Sequence, residues 1–351
     1  MSVGYVGSLG RHLATSRNLN QIPLNGGSVN IPSLTNTVGC DAQGNCDIEA
    51  SLIGPGGNPG VFFAPYQGYT GITGKQNTAV SHYNSLQVSW RHDVGHGLTF
   101  QAAYTWAHAI DDSSTTYFST GVDDNFDLSR WKATSALNRA QVVEMSYVYE
   151  LPFFKHSSSR VTRQALAGWT ISGISSFYSG EPVDFGCGLT DPVSGLGYAS
   201  GIGGGVRCNS LGPVKVNKGV YDDPTYGPTP TWINPVVVGQ VTLPQLRADG
   251  EPGMFGYMGR NPLTGPGVNN WDLALHKDFT MPWIKSEQSR IQFRWETFNT
   301  VNHTQFAGVS IWCSGLTPAG APCTGPNNIG NGEIGYARPP RIMQLAMKFI
   351  F

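Results

Sequence analysis

Apolar and polar residues alternate with a period of two in stretch after stretch of this chain, whereas the 3.6-residue period of an amphipathic helix does not recur. In RIQFRWETF, Ile291, Phe293 and Trp295 alternate with Gln292, Arg294 and Glu296, and Phe298 completes the aromatic set. WDLALHKDF sets Trp271, Leu273, Leu275 and Phe279 against Asp272, His276 and Asp278, with Lys277 interrupting the apolar side. LTFQAAYTW gathers Leu98, Phe100, Ala102, Tyr104 and Trp106, and YNSLQVSWR gathers Leu86, Val88 and Trp90. RIMQLAMKFIF places Met343, Leu345, Met347, Phe349 and Phe351 on one face. VVEMSYVYEL, GWTISGISSFY and GYVGSL follow the same rule less strictly. The pattern predicts eight strands, over residues 1–9, 82–92, 97–108, 139–151, 168–180, 269–280, 289–300 and 341–351.

The connections alternate as strictly as the residues do. In order they are very long, very short (DVGHG), long, moderate (containing LPFFKHSSSR), very long, short (MPWIKSEQ) and long. A soluble sandwich has no reason to do this. An up-and-down barrel in an outer membrane does, with tight periplasmic turns at one end and long external loops at the other. The expected fold class is therefore all-β, an antiparallel transmembrane β-barrel with long external loops. Only 13% of residues are charged, against about a quarter in ordinary soluble domains. No apolar run reaches the roughly 18 residues of a transmembrane helix, a test that barrel strands do not have to pass. With a net charge of -1 there is no basic stripe, so no nucleic-acid partner is expected. The opening MSVGYVGSLG lacks the cationic and long apolar regions of a secretory signal.

Aromatic residues fall near predicted strand ends: Trp90, Trp106, Tyr149, Trp169, Tyr178, Trp271, Trp283 and Phe351. They are expected to form girdles at the two bilayer interfaces. The six cysteines come as Cys40 with Cys46, Cys187 with Cys208, and Cys313 with Cys323, each pair inside one long loop. Local disulfides in an oxidising compartment are expected, since zinc-type CxxC spacing is absent. No metal site and no cofactor are expected. The acidic pairs Asp111 with Asp112 and Asp123 with Asp124 could hold calcium in a loop, although adjacent side chains usually diverge. The glycines at 201 and 203–205 follow no predicted strand and open no helix, so they are not a phosphate loop. No Ser, His and Asp set can be nominated from spacing, and the chain is expected not to be an enzyme.

The segments GPGVNNWDLALHKDF, IQFRWETFNTVNHTQF and ARPPRIMQLAMKFIF, in that order, resemble the C-terminal end of TonB-dependent receptors of the Oar-like, acidobacterial type, which carry a carboxypeptidase-regulatory-like N-terminal domain. YNSLQVSWRHDVGHGLTFQAAYTWAHAIDD and NRAQVVEMSYVYELPF resemble earlier strands of the same barrel. Such receptors are built from a signal peptide, a regulatory-like domain, a TonB-contacting plug and a barrel of about 22 strands. The resemblance thus implies that residues 1–351 are the C-terminal part of a larger barrel, with the upstream parts outside this chain. It implies energised uptake of a scarce solute: a siderophore, a cobalamin, an oligosaccharide or a peptide. The implied partners are outer-membrane lipid, TonB acting through the plug, the small-molecule solute, and the barrel-assembly machinery, which would read Phe349 and Phe351 as a C-terminal signal. Asp272, His276, Asp278, Gln292, Arg294 and Glu296 would face the lumen. A secreted adhesin or carbohydrate-binding module, and a small independent pore, are the competing readings. Residues 180–268, rich in Gly, Pro, Asn and Asp, exceed any usual connection and have no geometry derivable from sequence.

Overall fold

The computed structural model describes residues 1–20, 65–66, 69, 72–95, 97–114, 128–187, 209–210, 216, 218–223, 227–233, 241–242, 258–281, 289–313 and 331–350. In chain order the strands are β1 (Ser2–Asn18), β2 (Thr73–Val94), β3 (Leu98–Asp111), β4 (Ala133–Thr134), β5 (Gln141–Glu150), β6 (Trp169–Tyr178), β7 (Pro182–Val183), β8 (Gly186–Cys187) and β9 (Asn209–Ser210). They continue with β10 (Gly219–Asp223), β11 (Gly227–Thr231), β12 (Val241–Thr242), β13 (Leu263–Thr264), β14 (Val268–Thr280), β15 (Arg290–Phe298), β16 (Phe306–Cys313), β17 (Asn331–Ala337) and β18 (Ile342–Ile350). A single turn of 3₁₀ helix spans Leu128–Trp131, and one short helix, α1, spans Arg160–Leu166.

Eight long strands form one antiparallel wall in the order β1-β2-β3-β5-β6-β14-β15-β18, with β4 added at the end of β3. They coincide with the eight stretches expected from alternation, each neighbour in the wall being the next long strand in sequence. Among the described residues no pairing joins β18 to β1, which are the two edges of the wall. β2 has 22 residues, about 70 Å at 3.3 Å per residue, while a bilayer needs only about 9–11 tilted residues. The β1–β2 hairpin therefore rises well above its neighbours at the long-loop end.

Register explains the alternation. Leu98 opposes Tyr149, which opposes Ile171, then Leu275, Trp295 and Leu345, so one row crosses six strands with only apolar side chains. The next row, Thr99, Val148, Ser172, Ala274, Glu296 and Gln344, belongs to the opposite face and is mostly polar. A slip of one residue would exchange the two faces, so the pairing is strongly specified. The apolar side chains are not covered by protein: Leu345 is 70% and Met347 74% exposed. A face this large and this apolar is stable only against lipid. The buried apolar residues Ile233, Phe185, Trp232, Leu263 and Val183 all lie in the long connections, so the protein-packed core sits at the long-loop end.

Aromatics band that lipid face at both ends. Toward the short turns, Trp90 meets Phe100 at 5.4 Å between centroids, and Trp169 meets Phe293 at 5.9 Å and Phe279 at 6.4 Å. Toward the long loops, Phe177 meets Trp271 at 5.5 Å. Trp271 and Phe279 lie on one strand, about 27 Å apart along it, or roughly 20 Å along the membrane normal at a tilt near 40°. Two expectations of facing are corrected. Tyr178 lies on the polar face, where its hydroxyl donates to Glu144, and Phe298 falls on that face too, opposite Ile342. Both follow from parity along the strand. Trp283 and Phe351 lie outside the described residues.

Lys277 interrupts the lipid face without standing in lipid. It is only 3% exposed. Its ammonium donates to the Ala167 carbonyl and lies 5.0 Å from the Phe279 ring centroid and 5.6 Å from that of Trp169. Backbone and two ring faces replace its water.

Of the cysteines, Cys40, Cys46, Cys208 and Cys323 lie outside the described residues, and of Cys187 and Cys313 only the backbone is described. The backbone of Cys187 at the end of β8 is register partner to that of Cys313 at the end of β16. That pairing joins two different long loops, whereas spacing alone favoured partners within each loop.

Candidate functional site

The six polar candidates on β14 and β15 share one face of the wall, opposite the lipid face. His276 opposes Arg294, Asp278 opposes Gln292, and Ala274 opposes Glu296. Strand alternation places them together, and their opposite charges pair. Gln292 Nε2 donates to Asp278 Oδ1 at 3.0 Å, and Arg290 lies 3.4 Å from the same carboxylate. Arg294 bonds to Glu296, which also accepts from Gln344 of β18. Asp272 accepts from Asn270 Nδ2 and from the Asn299 backbone N–H, both at 2.9 Å. The face is thus a hydrogen-bonded polar surface carrying both signs of charge, with Asp272 closing the turn after β15.

The second assembly is the cluster of long loops. A five-stranded sheet in the order β10-β11-β17-β16-β8 combines segments from the β6–β14 and β15–β18 connections. Its junction is tight. The Trp232 N–H donates to Gly332 O at 2.7 Å, and Gly332, at φ 78°, brings its backbone against Ile233, where a Cβ would come within 2.5 Å of a carbonyl oxygen. Ile233 is fully buried there.

Below this sheet the loops are fastened to the wall by a buried ion pair. Arg260 bonds to both the carboxylate and the carbonyl of Asp111, the last residue of β3, and its Nη1 donates to Ser114 Oγ at 2.7 Å. The two side chains are 7% and 8% exposed. Arg260 also lies over Trp131, 6.0 Å from the ring centroid. Next to it, Asn261 takes φ 54°, donates from Nδ2 to Thr134 O at 2.7 Å, and donates its backbone N–H to Asp184 Oδ1 at 3.0 Å.

Two of the carboxylates considered for calcium have protein partners in these contacts. Asp111 is neutralised by Arg260. Asp112 accepts the Val80 N–H through both oxygens, at 2.8 and 3.1 Å. Burial pushes the Asp112 carboxyl above its ordinary value, and the Asp111 charge adds to this, against the opposing backbone hydrogen bonds and Arg260. Asp123 and Asp124 lie outside the described residues. Among the described residues no group of three His, Cys, Asp or Glu side chains could hold a metal ion.

A cavity of about 520 Å³ opens beside the fastening. It is lined by Tyr5, Leu86 and Trp106, which are register neighbours across β1, β2 and β3, and by Asn84, His108, Asn138 and Asn261. Tyr5, Leu86 and Trp106 belong to the apolar, lipid-facing side of the wall, so the cavity opens on that side near the long loops. Sequence reasoning found Asp111 but missed Arg260, Asn261 and this cavity. Arg260 is 149 residues from Asp111, and a lone cation within GYMGRNPLTGPG was its only local signal.

Phe349 lies on the lipid face opposite Ile291. The family described as the outer membrane beta barrel domain matches residues 1–344. No curated protein and no solved structure matches the chain. An eight-strand antiparallel wall with a lipid-facing apolar side and a family match along nearly its whole length lead to one statement: the chain belongs to the outer membrane beta barrel domain family and resides in the outer membrane.

Proposed function

We propose that this wall serves a TonB-dependent receptor that takes up a scarce solute across the outer membrane. The observation that carries the reading is the gathering of three long connections at one end, pinned by the buried Arg260–Asp111 pair, over a wall with one hydrogen-bonded polar face. A passive pore needs an open mouth. A receptor needs a constructed one, in which loops from distant parts of the chain are held in a fixed relation so that a dilute ligand can be captured. The resemblance of the β14, β15 and β18 segments to receptors of this kind supports the same reading.

In this reading Asp272, His276, Asp278, Gln292, Arg294 and Glu296 line the lumen, and further strands pair with the free edges of β1 and β18. A plug contacting TonB couples the solute's passage to the inner membrane, and the barrel-assembly machinery receives β18 with Phe349. The protein binds and moves its solute without chemical change. The solute is a siderophore, a cobalamin, an oligosaccharide or a peptide, as in the receptors that the β14, β15 and β18 segments resemble.

The test is on the producing cell. The outer-membrane polypeptide that carries the peptide following Arg341 is expected to have a mass far above 37.8 kDa. Deleting its gene is expected to abolish protonophore-sensitive uptake of one of these solutes. A polypeptide near 37.8 kDa, with uptake indifferent to protonophore, would replace this reading with a small independent pore.

A further inference from the structure

The connection from β5 to β6 does more than reverse the chain. Residues 151–168 read LPFFKHSSSRVTRQALAG, with three cations, Lys155, Arg160 and Arg163, and no carboxylate. Glu150 lies 3.7 Å from Lys155, and among the described residues neither arginine has an ion-pair partner. Four large apolar side chains stand exposed among them: Phe153 at 59%, Phe154 at 52%, Val161 at 78% and Leu166 at 48%. Helix α1 buries none of its residues, and Ser159 caps it by accepting the Thr162 N–H. Phe154 is held at φ 60°, a left-handed conformation that bulky residues rarely adopt.

The position of this segment identifies what covers it. The Trp169 indole donates to Ala165 O at 3.2 Å, and Lys277 bonds to Ala167 O. Trp169 and Lys277 are register partners on the lipid face. The end of α1 is therefore tethered from the lipid-facing side of the wall, at the short-turn end, and the exposed apolar and cationic residues continue the lipid-facing surface past the strand ends. Short turns of outer-membrane barrels are periplasmic, so the leaflet at this level is phospholipid.

We propose that the β5–β6 connection is an interfacial anchor that lies in the headgroup layer of the periplasmic leaflet. Phe153, Phe154, Val161 and Leu166 enter the acyl boundary, and Arg160, Arg163 and Lys155 contact anionic phospholipid. An amphipathic segment with cations at its polar side binds a membrane surface through both terms, buried apolar area and attraction to negative headgroups. The inference rests on the outer-membrane placement of the wall and is independent of which solute, if any, is transported.

The experiment is hydrogen–deuterium exchange on the whole chain in nanodiscs of phosphatidylcholine alone and of phosphatidylcholine with phosphatidylglycerol. Amides of residues 153–167 are expected to exchange more slowly, on the order of tenfold, when the anionic lipid is present, with β5 and β6 unchanged as an internal reference. The variant K155Q/R160Q/R163Q is expected to lose that difference, and F153S/F154S to exchange faster in both discs. Equal exchange of the wild-type segment in the two discs would overturn the proposal. So would an anionic-lipid effect that survives in K155Q/R160Q/R163Q. Should either variant fail to fold, faster exchange in β5 and β6 would reveal it, and the wild-type comparison still decides.

Discussion

Asp111 and Arg260 meet where a strand of the wall hands over to the loops, and both are almost fully buried. Removing one partner strands the other's charge away from water, a loss of about 3–5 kcal/mol in comparable buried pairs. Asp111→Ala and Arg260→Ala are each expected to lower stability by that order in urea unfolding from detergent micelles. The double variant should cost less than the sum, which a double-mutant cycle reads directly. The neighbouring Asp112 is half-buried without a cation of its own in hydrogen-bond contact. Its native carboxyl holds a proton more tightly than the unfolded one, because burial disfavours the charge. Its contribution to stability is complete below the ordinary value of 3.8 and is lost as pH rises through the raised native value. Asp112→Asn is expected to flatten that decline on the alkaline side of 3.8, measured by unfolding midpoints across pH. Neither carboxylate could be assigned from the sequence, because the groups that decide their chemistry, Arg260 and the Val80 amide, are distant in the chain.

At the level of elements, alternation made the wall legible. Its eight strands could be read with their faces, since period two records which side meets lipid and which meets polar groups. Two aromatic positions were misplaced where hydrophobicity outweighed parity, Tyr178 and Phe298. The small sheet over the wall was not legible. Strands such as β8, with two residues, carry no periodicity, and β16 pairs with a segment more than a hundred residues earlier. One close fit inside the wall is testable. A Cβ on Gly173 would come within 2.6 Å of the Tyr147 ring and 2.7 Å of Leu273. Both contacts are with the ends of side chains that can turn aside toward lipid, so Gly173→Ala is expected to lower stability by no more than about 1 kcal/mol, read from urea unfolding in micelles. The β8–β16 register gives another test. Neighbouring strands lie about 4.8 Å apart, within the roughly 4.4–6.8 Å between Cα atoms that a disulfide spans. In a non-reducing tryptic map the expected link joins peptide 164–207, bearing Cys187, to peptide 295–341, bearing Cys313 and Cys323, and fragmentation of the linked pair is expected to place the bond at Cys313. A link from 164–207 to 208–215 would instead place Cys187 with Cys208.

For the molecule as a whole, the two faces define how it sits in its solvent. Trp90, Trp106 and Trp295 project from the apolar side and are 46%, 59% and 40% exposed. In liposomes their fluorescence is expected to be quenched strongly by brominated acyl chains and weakly by aqueous iodide, and the triple replacement by phenylalanine should remove most of the lipid-dependent part. Strong iodide quenching of these positions would contradict a lipid-facing wall. The edges of the same wall differ in reach: β1 offers seventeen residues and β18 nine. A strand laid along β18 can satisfy its backbone within the bilayer and stop, whereas one laid along β1 must continue into the external medium to do the same. The two seams therefore select neighbours of different length. In the receptor reading, a partner that fits one seam would leave the other either short of hydrogen bonds or overhung, which would fix the order of strands around the circumference.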